Sequence, residues 1–549
     1  MKVSVLASDG GFATLLALIM VGMLTLIGLA ALSTSDDEIT IASNELQEMR
    51  SFYAAEAGLE RAGSQLQFTY DSTGRPPLVM PQGIDSVNDC SVVYQTADNG
   101  PATVRVLTTG TLTGLHALVK SFSINSTGIS AVENAKVTLS QSFETALVPI
   151  FQFAVFYDND LEVNPGPDMN LRGRVHTNSD LYLQAGTSLR MDSYVTAAGN
   201  IHHGRKGPGG DADGDVLVKD RVGLYVSMRD AGGWLESTDS YWYDSSLYRW
   251  HGRVQDATHG QQALSVPLGG SGDDPHGLIE RASAAEKAAG ESDSYEMKST
   301  LKIIDRQAYK KVGGVWTEVT ADMVARGIIS FENNKFVDQR EAGAGVDVME
   351  LDIAKLYGEG YAPENGVLYF SDETTDFPGL RIINGEQLGA PLSIASENPV
   401  YTLGDFNSND KKPAAILADA ITFLSDAWSD NKSDSTYQSR PAATTTVNAS
   451  ILTGNVETTD TDYSGGFENL PRFLEDWTGV DFNWSGSMVN LWVSTQATNP
   501  WSGFYYSPPD RHWAYDADLN DPNKLPPETP VVRIFQRTGW KQEYVGTYE

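Results

Sequence analysis

From Phe12 to Leu32 the chain reads FATLLALIMVGMLTLIGLAAL, with no charged residue. As a helix this run is about 31 Å long at about 1.5 Å per residue, the thickness of a bilayer's hydrocarbon core. The pattern then turns amphipathic over residues 33–68. Apolar positions recur at Ile39, Ala42, Leu46, Met49 and Tyr53, shift at Phe52, and continue through Ala55, Leu59, Ala62 and Leu66. Steps of three and four predict a helix with one packed face. Glu45, Glu48, Arg50, Glu60 and Arg61 stay in water on the other face. The segment STSDDE at 33–38 suits a helix beginning or a membrane exit.

From residue 69 the period changes to two. Residues 102–107, 117–124 and 136–139 alternate apolar and polar side chains. Asn99-Gly100-Pro101, Gly110, Gly114 and Ser126-Thr127-Gly128 read as the turns between strands. Residues 69–149 are therefore expected to form a small antiparallel sheet behind the helix. From 150 to 549 short apolar clusters alternate with Gly- and Asn-rich turns: FAVFYDNDLEV, RVHTNSDLYL and SYVTAAGNI, then VLYF, LRII, PVYTLGDF and TTTVNASIL. This texture predicts a large, mainly-β body. A β-solenoid is preferred over an irregular sandwich, because each rung needs only a short strand and a turn. No strict repeat period is evident. A partly helical insertion is expected near 280–354, where RASAAEKAAG lies. The fold class is α+β.

Charge narrows the functions. Lys and Arg number 39 against 72 Asp and Glu, a formal net charge of -33. Nucleic acid and anionic headgroups repel such a surface. With Cys90 as the one cysteine, no intrachain disulfide can form, so metal ions or stacked packing must hold the loops.

Three readings of the N-terminus compete. A secretory signal has an apolar core of about 7–15 residues; this one is longer, although Ala31-Leu32-Ser33 could pass for a cleavage site. A plain membrane anchor is the second. The third rests on the leader MKVSVLASDGG at 1–11, which ends in Gly11 ahead of Phe12. That arrangement resembles the prepilin leader of type IV pilins and pseudopilins. FYAAEAGLERA at 52–62, after the apolar run, resembles the N-terminal domain of PilX-type pilus assembly proteins, a match over roughly the first 65 residues. RVHTNSDL, PVYTLGDF, ENLPRFLEDW and YSPPDRHWAYD are similar to segments of long members of that group.

The resemblance implies that residues 12–68 are a pilin-type helix whose membrane segment, 12–32, is retained. Prepilin peptidase would cut after Gly11 and methylate Phe12. Other pilins or pseudopilins would be partners through the helix. The precursor would sit in a bacterial inner membrane with its body outside the cytoplasm, consistent with Lys2 on the inner side, and then in a filament or at the cell surface. Pilins usually carry Glu at the fifth mature position; here it is Leu16. A tip or initiator role is the hypothesis that departure suggests.

Catalytic motifs are missing: the chain has no HExxH, GxSxG, phosphate loop or GxGxxG. His202 and His203 are adjacent, and on a strand they point to opposite faces. The sharpest chemical signal is GGDADGDVLVKD at 209–220. Asp211, Asp213 and Asp215 alternate there, and alternating carboxylates in a curled loop can converge on Ca²⁺. The loop resembles the first half of an EF-hand-type or thrombospondin-type calcium loop. Its twelfth position is Val222 rather than Glu, so Asp220 would have to contribute. The alternative is a solvated acidic turn. DADLND at 516–521 is a weaker candidate. Aromatic residues cluster at 240–250 and 501–515, fitting core packing, a partner contact or glycan stacking. The leading expectation is a non-enzymatic minor pilin or pseudopilin acting in assembly. A pilin-anchored adhesin for glycan or host protein and a membrane-anchored polysaccharide-active enzyme are the alternatives.

Overall fold

One unbroken helix, Gly10–Thr73, opens the chain. It contains no proline, and the polar exit signal at 33–38 does not interrupt it. Thr34 and Thr40 donate their hydroxyls to the carbonyls of Ala30 and Asp36, both at 2.9 Å, which keeps these side chains from capping a new start. The computed structural model describes residues 10–73, 76–108, 110–132, 135–266, 274–290, 292–341, 343–459, 461, 463–501 and 504–543. Its contacts divide the chain into two units: Met1–Thr103, Val119–Ala146 and Phe535–Glu549 form the first, and Val104–Leu118 with Leu147–Ile534 the second.

In the first unit the helix packs on an antiparallel sheet. Strand order is Gln82–Val87, Cys90–Asp98, His116–Ser130, Lys136–Pro149, then Val531–Glu543 from the far end of the chain. Buried Cys90, Val92, Tyr94, Phe122, Ile124, Val137, Leu139 and Phe143 meet Ala54, Ala55, Leu59, Ala62, Leu66 and Tyr70 of the helix. The second half of the predicted stripe thus packs. The first half does not: Ile39, Leu46, Met49 and Tyr53 are all exposed. The buried line instead begins at Gln47 and Ser51. Both are anchored by hydrogen bonds, Ser130 Oγ to Gln47 Oε1 at 2.7 Å and Ser51 Oγ to the Ala135 carbonyl at 2.8 Å. Small and polar residues win this face because they let the helix backbone approach the sheet.

That approach also corrects a turn. Ser126-Thr127-Gly128 lies inside the strand His116–Ser130, not between strands. Gly128 pairs with Val92 and sits beneath the helix at Ser51 and Ala55. The last strand adds Arg537, paired with the Glu60 carboxylate, and Gln141 donates to the Gly539 carbonyl at 2.6 Å.

The second unit is built from short strands stacked turn upon turn in parallel. Phe153–Tyr157, Arg174–Thr177 and Val195–Ala197 pair in order, as do Leu161–Val163, Leu181–Leu183 and Ile201–His203. A second set stacks Val367–Ser371, Leu392–Ser396, Ala414–Ala418, Ser450–Thr453 and Met488–Asn490. The two sets join where Val489 pairs with Phe156, giving one sheet of 12 strands. A local period exists after all. Val155, Val175 and Val195 stack, as do Leu161, Leu181 and Ile201, each 20 residues apart. Asp160 and Asp180 extend it, each accepting from the backbone N–H of the residue 20 further on. The inserted residues 280–354 hold the short helices Ala284–Ala289, Tyr295–Lys298, Thr320–Ala325 and the start of Ile353–Gly358, with strands between them. Antiparallel hairpins, Gln307–Val312 with Val315–Glu318 and Asp215–Lys219 with Tyr225–Ser227, end two of the sheets and leave Val315–Glu318 and Tyr225–Ser227 as edge strands.

Candidate functional site: the exposed apolar helix

From Gly11 to Ala42 every residue of the helix is exposed. Phe12, Leu15, Leu18, Ile19, Met20, Val21, Met23, Leu24, Leu26, Ile27, Leu29 and Leu32 project from all sides of it, with no neighbour among the described residues covering them. The segment's mean hydropathy reaches 2.6, enough to cross a membrane by length and composition. Its hydroxyls make no demand on the surroundings, since Thr25 donates to the Val21 carbonyl at 2.6 Å. Removing each large apolar side chain from water is worth about 1.5–3 kcal/mol. A dozen of them in water would be costly, and the run fits a membrane anchor. Gly11 and Phe12 lie in the helix's first turns, and Leu16 lies one turn on. Residues 1–9 of the leader lie outside the described residues.

The four aspartates of the acidic loop have separate partners. Asp211 accepts weakly from the Arg205 backbone at 3.4 Å, and Asp213 pairs with Arg229. Asp215 opens a strand opposite Ser188. Asp220 is buried and caps its own turn, accepting from the Val222 and Leu224 N–H groups at 3.0 and 2.9 Å. Among the described residues no three His, Cys, Asp or Glu side chains stand together. In this arrangement each of the four carboxylates faces its own surroundings. In the second acidic stretch Asp516 and Asp518 are held by Lys411, at 2.7 and 3.0 Å, and Asp518 also by Lys524 at 2.7 Å.

His202 stacks on Tyr182 and His203 on Trp234, on opposite faces of one strand. In the first aromatic cluster Trp242 and Trp250 are buried, while Tyr241, Tyr243 and Tyr248 of the same stretch are exposed. In the second, Trp501 stands within hydrogen-bond reach of buried Tyr506, and Trp513 packs on Phe467. The tryptophans serve the core.

A buried polar knot beside the first cluster carries a pH dependence. Asp256 Oδ1 accepts from Thr258 N at 3.0 Å and His259 Nδ1 at 2.7 Å, and Oδ2 from Ser237 Oγ at 2.5 Å. Burial would raise this carboxyl, but these donors outweigh it and hold it down to about 2. A depressed folded value means stability present above the unfolded value, about 3.9, and lost as pH falls through about 2. Asp256→Asn should therefore remove about 2–3 kcal/mol at pH 7 and flatten the loss between about pH 4 and pH 2. Unfolding in urea across that range measures it.

No family model and no curated protein sequence matches the chain. The crystal structure of the competence-associated pilin ComZ from Thermus thermophilus is similar to it at 12% identity, over 90% of this chain and 98% of that one, with a TM-score of 0.29. A likeness at that score does not establish a shared fold. The structure itself defines a class: an apolar, membrane-length N-terminal helix leading a mostly β body with several sheets and, among the described residues, no closed barrel.

Proposed function

We propose that the chain is a minor pilin or pseudopilin that takes part in assembling a type IV pilus-like filament. The single observation that supports this most is the helix Gly10–Thr73, naked over its first half and packed on its own sheet over its second. A signal sequence has no need to continue without a break into a folded module. An ordinary anchor explains the apolar run but not Gly11-Phe12 or the PilX-like segment at 52–62. In this reading, residues 12–32 first sit in the inner membrane and then dock among the helices of other pilins. The stacked turns of the second unit form a short β-solenoid displayed outside. Leu16 offers no carboxylate to a neighbour's N-terminal amine, which favours a place at the filament tip.

Mass spectrometry of the mature protein's N-terminus tests it. A polypeptide beginning with methylated Phe12 is the expected result. A mature chain that begins near Thr34 and leaves the membrane as a soluble monomer would rule the assembly role out.

A further inference from the structure

In the second unit the parallel ladder of Leu161–Val163 ends at an edge, and the turn Phe467–Asn469 takes the place of the next strand. A cavity of about 30 Å³ remains there, walled by Tyr157, Glu162, Lys206, Asn455, Phe467 and Arg472. Glu162 is 6% exposed. Both of its carboxylate oxygens and the side-chain oxygen of Asn455 are buried with no hydrogen-bond partner among the described residues. Three orphaned acceptors at one cavity are costly in a folded protein.

The nearby cations form their direct contacts elsewhere, although Arg205 and Lys206 still act on Glu162 through space and pull its carboxyl down. Lys206 pairs with Asp160 at 2.7 Å, and Arg472 with Glu341 at 2.6 Å. Arg205 lies over the Tyr463 ring at 3.7 Å, and Arg340 donates to the Asn499 carbonyl at 3.3 Å. Glu468, buried on the facing turn, accepts from the Asn164 N–H at 3.2 Å, and burial raises its carboxyl as well. Burial first, and Glu468 second, push Glu162 up to about 8. Without a guest, Glu162 holds a proton at neutral pH.

We propose that the cavity is a site for one small cation, ligated by the Glu162 carboxylate and the Asn455 side-chain oxygen. The room suits an ion with a water and excludes a sugar or nucleotide. The oxygen-only ligands select a hard alkali or alkaline-earth ion. Binding releases one proton to solvent, so below the carboxyl's own value the apparent Kd rises about tenfold per pH unit. The site is separate from the acidic loop at 209–220 and independent of the assembly reading.

The test is thermal unfolding of the full chain in a non-ionic detergent at pH 8, with sodium, potassium, magnesium or calcium chloride. Tetramethylammonium chloride at matched ionic strength controls for screening of the acidic surface. The expected result is a saturable rise of several °C with at least one of the four ions. That rise persists in Asp213→Asn and disappears in Glu162→Gln, whose neutral amide imitates the protonated state. A pH-stat titration of the wild-type chain should release protons as the same ion is added at pH 7. Equal rises with tetramethylammonium, an undiminished rise in Glu162→Gln, or its loss in Asp213→Asn would each overturn the proposal.

Discussion

Replacing Arg472 by methionine is expected to lower the unfolding free energy of the second unit by about 3–5 kcal/mol. Arg472 lies on a two-residue strand, Arg472–Phe473, paired with Thr422 and Phe423. Its guanidinium donates to Glu341 Oε1 at 2.6 Å and to the Ala497 carbonyl at 2.5 Å, and both side chains of the pair are almost wholly buried. Glu341 also accepts from the Asn499 N–H at 3.1 Å. Burial holds the Glu341 carboxyl above its ordinary value even with the arginine present. Removing the arginine leaves that carboxyl to take up a proton or stay charged in a dry site, and strips Ala497 of its donor. Methionine keeps the apolar volume, so lost packing is not the cause measured. The double variant Arg472→Met, Glu341→Gln should recover part of the loss, since the isolated charge is the main penalty. The exposed pair Arg326–Glu359 supplies the contrast. Breaking it should leave stability unchanged within the error of the measurement. Urea unfolding followed by tryptophan fluorescence distinguishes the two outcomes.

Arg472 also marks the limit of what the sequence shows. The apolar run at 12–32 has one physical solution, a helix, and its exposure follows from length and composition. The alternation at 117–124 is likewise local and appears as strand. Glu341 and Arg472 are 131 residues apart, and nothing in either segment announces the other. The strand Val531–Glu543 is similar: its place beside Lys136–Pro149 is a long-range pairing. The 20-residue spacing of Val155, Val175 and Val195 does not stand out as a period because the later turns are uneven; Ile416 and Ile451, stacked neighbours, are 35 apart. The acidic loop poses a different problem. Alternating aspartates identify a chemistry only if their side chains converge, and here Arg229 and backbone N–H groups claim them separately. Glu162, by contrast, sits in an unremarkable LEV triplet and becomes chemically distinctive only when buried without a partner.

Gly128→Ala should be the most damaging single-methyl change in the first unit, at about 3 kcal/mol or more. Its φ is not in the left-handed region, so backbone strain is not the reason. Space is. A Cβ there would lie inside contact distance of the Ser51 carbonyl oxygen and 2.9 Å from the Ala55 nitrogen. Both are backbone atoms of the long helix and cannot turn aside as a side chain would. Relief requires the helix to move off the sheet. That would stretch the Ser51–Ala135 and Ser130–Gln47 hydrogen bonds and loosen the packing around Ala55 and Val92. Gly22→Ala serves as the control. It lies in the same helix with nothing within 4 Å of the added methyl, and alanine there favours helix by about 1 kcal/mol. Hydrogen exchange of the Cys90–Asp98 and His116–Ser130 amides reads the difference. Protection should fall across both strands in Gly128→Ala and hold in Gly22→Ala. Unchanged protection in Gly128→Ala would mean that the helix does not press on the sheet at Ser51. The small residues along its buried face would then need another explanation.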